Sequence, residues 1–152
     1  MIDLDALDRT LLRALVADGT RTAASIARER RVSASLVARR MRRLDETGAI
    51  RGRRVVLDRA ALGFGVTVFL GVKLAGKGRV SLEDFERAVT AIPEVQTVQH
   101  VLGLYDYRLR VVARDLSDFE RVLRRRIMTL PGVGSVDANV LLSEERRPGP
   151  LG

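Results

Sequence analysis

The densest chemistry in the chain lies in residues 33–47, SASLVARRMRRLDET, where Arg39, Arg40, Arg42 and Arg43 accompany the hydroxyls of Ser33 and Ser35. Arginine pairs in a bidentate way with guanine or clamps phosphate, and a short serine lets a backbone approach a groove closely. The spacing predicts one helix opened by Ser33 as N-cap. At 100° per residue, Val37, Met41 and Leu44 share one stripe. Ser35, Arg39, Arg42 and Arg43 lie nearly opposite, with Arg40 on the flank nearer the buried side. Such a helix suits a DNA major groove. An arginine-rich solvated face is the plainer alternative, and the neighbouring elements bear on the choice.

A second cluster is the turn Leu102–Gly103–Leu104–Tyr105–Asp106. A glycine between strands can expose backbone N–H groups, and Asp106 could hold an ammonium group. The alternative is a plain hairpin whose glycine supplies φ > 0. His100 is the only histidine, and a lone strand histidine without cysteine neighbours reads as structural. No Ser/His/Asp grouping, P-loop or dinucleotide glycine pattern is present. No catalytic residue, metal ligand or cofactor site is therefore expected.

Elements that would position the arginine helix precede it. Residues 3–17 repeat Leu4, Leu7, Leu11 and Leu15 at helical spacing behind an acidic start, and Asp18-Gly19 ends them. Thr22 caps a short helix to Arg30 that carries Ala23, Ile26 and Ala27 inward. Two short helices joined by a tight turn, closed by a third, make a helix-turn-helix. The turn position that commonly holds glycine is Arg31. A positive φ there costs roughly 1 kcal/mol relative to glycine. Residues 50–57 read as a short strand or an extended arm whose Arg51, Arg53 and Arg54 could reach phosphates, and a linker follows to Gly65.

From Val66 the period changes. Residues 66–74 form a strand dense in β-branched and aromatic residues. A helix over 81–92 begins at a Ser81/Asp84 capping box and stops at Pro93. Strands follow at 95–102 and 105–113, then a helix over 115–130 and a strand over 133–142. The two halves repeat: Asp84-Phe85-Glu86-Arg87 leads to Ile92-Pro93, and Asp118-Phe119-Glu120-Arg121 to Leu130-Pro131, about one helical turn longer. Tandem β-α-β halves give the ferredoxin-like βαββαβ arrangement. The fold class is α+β, with a winged-type helix-turn-helix over 1–50, a strand or linker over 51–65, the ferredoxin-like domain over 66–142 and a flexible tail over 143–152. Helices cover one sheet face only. The first strand looks apolar on both faces, so the open face is expected to be an apolar interface.

Charge agrees with this division. Residues 1–60 hold 14 basic and 8 acidic side chains, residues 61–152 hold 13 and 11, and the whole chain carries +8. A basic first part joined to a near-neutral remainder is the footprint of a nucleic-acid module on a different module. The absence of cysteine excludes disulfides and thiolate metal sites and fits a reducing cytoplasm. No apolar run approaches the ~20 residues of a membrane span. A soluble, cytoplasmic protein is expected.

In its order of elements the chain resembles the Lrp/AsnC, or feast/famine, family. The resemblance rests on LDALDRTLLRALVADGTRT from Leu4, VSASLVARRMRRLDETGAIRG from Val32, LDRAALG from Leu57, GLYDYRLRVVARD from Gly103 and LPGV from Leu130. It implies an amino-acid-responsive transcription regulator that binds double-stranded DNA. It further implies homodimers that often build octamers, with effector held by the C-terminal domain near contacts between dimers. The chain departs from the family pattern at Arg31, Ala34, Leu36, Arg53, Leu102 and Leu104. The last two stand where the family tends to carry polar residues, which points to a larger or more apolar effector than asparagine. An architectural DNA-wrapping protein without effector is the competing reading. An enzyme similar to siroheme decarboxylases, which use histidines on a tetrapyrrole, is opposed by the single His100.

Overall fold

The structure, a computed structural model, describes residues 2–75, 79–145 and 149, and for residues 79–81 the backbone alone. It divides into two compact units, residues 1–56 with 145–152 and residues 57–144.

The first unit opens with α1 (Ala6–Ala17), α2 (Ala23–Arg30) and α3 (Ala34–Glu46). Each start is set by a side chain that takes up an orphan N–H. Asp5 accepts from the N–H of Asp8, and Asp8 accepts from that of Asp5, a reciprocal capping box. Thr22 and Ser25 form the same device on α2, and the Ser33 hydroxyl accepts from the N–H of Leu36 at 3.2 Å. The turn between α2 and α3 closes as a Schellman-type cap, with the Val32 N–H donating to Ala27 O at 3.1 Å. Arg31 sits there at φ 55°, ψ 42°, the left-handed conformation expected of it. Leu11, Ile26, Val37 and Leu44 are fully buried at the centre, with Leu7, Leu15 and Met41 packed around them.

Past α3, where a short strand or an extended arm was expected over residues 50–57, no strand forms. Residues 51–58 lie in no helix or strand, and Val55 and Val56 are largely exposed. They make an extended arm rather than a β-wing: among the described residues no strand pairs with them.

The second unit is a four-stranded antiparallel sheet of β1 (Val66–Leu74), β2 (Val95–His100), β3 (Tyr107–Ala113) and β4 (Val133–Val140), ordered β2-β3-β1-β4. Two helices lie on it, α4 (Arg79–Thr90) and α5 (Leu116–Val122), the second prolonged by a π-helical turn, Leu123–Ile127. Helix α4 starts two residues before Ser81, so Ser81 is not its cap; its side chain lies outside the described residues, as does most of the expected tail. The expected helix over 115–130 is corrected as well. A π turn, closed by the Met128 N–H on Leu123 O at 2.8 Å, inserts one residue. Val122 and Ile127, five apart, would diverge by 140° on an α-helix. With the π turn both are fully buried.

One sheet face carries Val68, Leu70, Val72, Leu74, Tyr107, Leu109 and Val111 against Phe85, Val89, Phe119 and Val122. The register places Thr67, Phe69, Gly71 and Lys73 of β1 on the other face, beside Arg108 and Arg110 of β3 and Asp137 and Asn139 of β4. The expected apolar open face is thus corrected. Phe69 is its only large apolar side chain along β1, and Arg110 lies over that ring at 5.6 Å.

The left-handed Arg31 supplies a direct check. Arg31→Gly should stabilise the protein by up to about 1 kcal/mol, since glycine adopts this φ without Cβ strain and loses part of the gain to chain entropy. Urea denaturation measures it; a clear loss of stability would mean that the arginine side chain itself supports the turn.

Candidate nucleic-acid interface and ligand turn

Helix α3 presents its two faces unequally. Val37 and Leu44 are fully buried, while Ser33, Ser35, Arg39 and Arg42 are exposed. Among the described residues, neither Arg39 nor Arg42 makes an ion pair. Both guanidiniums are therefore available to an anionic partner, on the side of α3 away from the core.

Arg40 and Arg43 are placed otherwise. Asp8 is 0% exposed, and both arginines converge on it: Arg40 Nη1 lies 3.4 Å from Oδ1 and Arg43 Nη1 3.1 Å from Oδ2. Arg40 also pairs with Asp5 at 2.7 Å, and Arg43 Nη2 donates to Asp3 O at 2.9 Å. The expectation that Arg43 stands on the open face beside Arg39 is corrected. Its long side chain turns back to the start of α1, because a buried carboxylate without a cation would be far costlier than an arginine withdrawn from water. Sequence reasoning passed over Asp8 as a cap. The signal was its place on the Leu4–Leu11–Leu15 stripe, where a charge needs a buried partner.

The Asp5 carboxyl is held below the usual carboxylate range, chiefly by accepting the Asp8 N–H, with Arg40 adding to the effect against partial desolvation. A lowered folded value means that Asp5 favours the folded state above about pH 4, and that this contribution disappears as pH falls through the folded value.

At the other candidate site the five residues divide into two groups. Leu102 and Leu104 are 106% and 77% exposed, and Gly103 between them has φ 153° with open space where a Cβ would stand. Tyr105 and Asp106 instead turn onto the sheet. The Tyr105 ring covers Gly71, where a Cβ would lie 2.7 Å from ring carbons, and its hydroxyl donates to Asp137 Oδ2 at 2.6 Å. This bond to a carboxylate, with desolvation, raises the phenol above its ordinary value. Asp106 accepts from Lys73 Nζ at 3.1 Å and from the Leu74 N–H at 2.8 Å. Its expected availability for an ammonium group is corrected: both oxygens brace the end of β1. His100 stacks on Tyr107 at 4.8 Å, and the Tyr107 hydroxyl donates to Glu86 at 2.6 Å. Burial first, then that bond, push the Tyr107 phenol far above its ordinary value. The histidine is a packing residue.

Residues 4–45 match the AsnC-type helix-turn-helix domain and residues 67–151 the Lrp/AsnC ligand binding domain. The chain belongs to the Lrp/AsnC family. It is a DNA-binding transcriptional regulator with a ligand-binding domain. Among relatives of this Lrp/AsnC protein, a proline dehydrogenase transcriptional activator of Rhizobium radiobacter is 33% identical over 97% of this chain and 94% of its own length. A leucine-responsive regulatory protein of Rhizobium meliloti is 33% identical over 89% of this chain and 86% of its own length. A transcriptional regulator of Neisseria meningitidis, solved as a complex with L-Met, superposes with a TM-score of 0.89 at 25% identity, covering 95% of this chain and 94% of that one. No helix among the described residues is long and apolar enough to cross a membrane.

Replacing both cations of the Asp8 cluster, Arg40→Gln with Arg43→Gln, should destabilise the protein by about 3 kcal/mol. That is the low end for a buried charge left unpaired, since both arginines are partly solvated. Each single change should lose less than half as much. Chemical denaturation of the three variants measures this, and additive small losses would show that Asp8 does not depend on the pair.

Proposed function

We propose that this regulator reads double-stranded DNA with the exposed face of α3. Arg39 and Arg42 contact bases or phosphates, and Ser33 and Ser35 lie where the backbone approaches closest. The carrying observation is that, among the described residues, these are the arginines of α3 without an internal ion pair, on a helix whose opposite edge is buried. Arg40 and Arg43 act at the margin of the interface, oriented by Asp5 and Asp8.

The ligand of the C-terminal domain is an amino acid with an apolar side chain, taken at the turn Leu102–Asp106. Leu102 and Leu104 project apolar surface, and Gly103 leaves its backbone open. Tyr105 and Asp106 hold the turn in place and supply no free carboxylate. The L-Met bound to the Neisseria meningitidis relative and the leucine response of the Rhizobium meliloti relative support this class. The exposed leucines also support a homo-oligomer, a dimer or an octamer built of dimers, in which a second copy covers the turn. A cytoplasmic protein that acts by binding, without catalysis, fits these features.

In titrations of operator DNA at fixed salt, Arg39→Ala should cost about 1–3 kcal/mol if the side chain reads a base, with Arg13→Ala near wild type. Asp5→Asn keeps the cap and removes the shorter of Arg40's two carboxylate pairs, so the plot of log K against log salt should steepen, by at most roughly 0.9, one added phosphate contact. Wild-type affinity of Arg39→Ala would overturn the groove assignment, and an unchanged slope would overturn the role of Asp5.

A thermal-shift series over the twenty amino acids checks the ligand. Leucine, methionine or phenylalanine should raise the melting temperature, and the shift should vanish in Leu104→Ser. Stabilisation by asparagine or glutamate alone would overturn the apolar assignment.

A further inference from the structure

The opposite end of the sheet from the Leu102–Asp106 turn holds a cavity of about 250 Å³. The Val66–Ala113 pair marks this end and the Val72–Tyr107 pair the other, six residues or about 20 Å apart at ~3.3 Å per residue. Phe64, Pro93 and Val112 give the cavity an apolar lining, and Arg59, Arg114 and Arg121 bring cations to it. Two carboxylates also line it, and both are already engaged. Glu94 pairs with Arg126 at 2.9 Å, and Asp118 accepts from Arg121 at 2.5 Å and from the Arg114 N–H at 3.2 Å. These bonds, the one from Arg121 foremost, hold the Asp118 carboxyl below its usual range. Arg121 and Arg126 thereby offset the two acids. Among the described residues, Arg59 and Arg114 make no ion pair, which leaves about two positive charges at a small hollow of mixed polar and apolar lining.

We propose that this cavity is a second ligand site, separate from the turn, for a small organic carboxylate with a short branched apolar body. Two guanidiniums suit one carboxylate, since the planar fork of arginine matches its geometry. Phe64, Pro93 and Val112 provide the surface that a bare inorganic anion could not use. Position gives the site a consequence. Arg59 and Phe64 belong to the segment that leads from the helix-turn-helix into β1, whereas Arg114 follows β3. That segment already lies close to the sheet: a Cβ on Gly65 would stand 3.2 Å from Arg114 O. A carboxylate shared by Arg59 and Arg114 fastens the incoming segment to the sheet, so occupancy bears on how firmly this root is held.

The test uses the intact protein and three probes in calorimetric titrations: 4-methylpentanoate, its neutral amide, and inorganic phosphate. The acid should bind saturably with one site per chain, and the amide and phosphate should bind at least tenfold more weakly. Arg59→Ala and Arg114→Ala, both folded by circular dichroism, should each weaken the acid at least tenfold, while Leu104→Ser leaves it unchanged. That last arm keeps this site distinguishable from the proposed effector turn. Equal binding of acid and amide, wild-type affinity in both arginine variants, or no binding at low millimolar acid would overturn the proposal. Phosphate binding as tight as the acid would overturn the carboxylate assignment.

Discussion

A buried carboxylate that must find its cations governs the first unit. Asp8 sits at 0% exposure beneath the first turn of α1, where desolvation would be prohibitive without compensation. The compensating charges come from α3, 32 and 35 residues along the chain. The ion pairs therefore join the apolar contacts of Leu11, Val37 and Leu44 in holding α3 against α1. They are also directional. Each pair adds a specific donor and acceptor position to the non-directional packing of the leucines. The face that α3 shows to solvent, with Ser35, Arg39 and Arg42, follows from that restraint.

The second unit is organised by a difference between its sheet faces. Tyr107, fully buried, stands between Phe85 and His100 and hands its hydroxyl to Glu86, so one aromatic ties β3 to β2 and α4. On the other face Tyr105 lies across Gly71 to reach Asp137, binding the turn before β3 to β4. Only glycine at position 71 leaves room for that ring. The two tyrosines, two residues apart, anchor the start of β3 from opposite sides. Leu102 and Leu104 can then project into solvent from a rigid base, since Asp106 is also tied to Lys73 and Leu74.

Much of this was legible in the sequence, and the reasons for success and failure are physical. The run of Val66–Leu74 is so rich in β-branched residues that its bounds emerged unaltered. The Thr22 and Ser33 caps followed from hydroxyls placed before apolar periods, and Arg31 took the φ that the turn requires. Strand periodicity was misjudged where Thr67, Phe69, Gly71 and Lys73 were read as apolar; alternate positions made them the polar face. The π turn had a faint signal in the second repeat, one turn longer than the first, but a single inserted residue leaves no composition of its own. The Asp8 cluster and the capture of Asp106 by Lys73 were hidden for another reason. Both join residues more than 30 apart in sequence, and a helical wheel shows directions, not partners.

This pairing also reconciles the charge of the chain with its use. Four arginines on thirteen helical residues would make an undiscriminating electropositive rod, because phosphate attraction carries no sequence information. Asp5 and Asp8 hold two of the four, Arg40 and Arg43, and among the described residues leave Arg39 and Arg42, about one turn from each other, without an ion pair. In the proposed binding mode this lowers net attraction to the DNA backbone and leaves Arg39 and Arg42 free for the groove. Acidic residues at the start of a DNA-binding unit look misplaced when only net charge is considered. Their distances show them pairing from within with two arginines of α3.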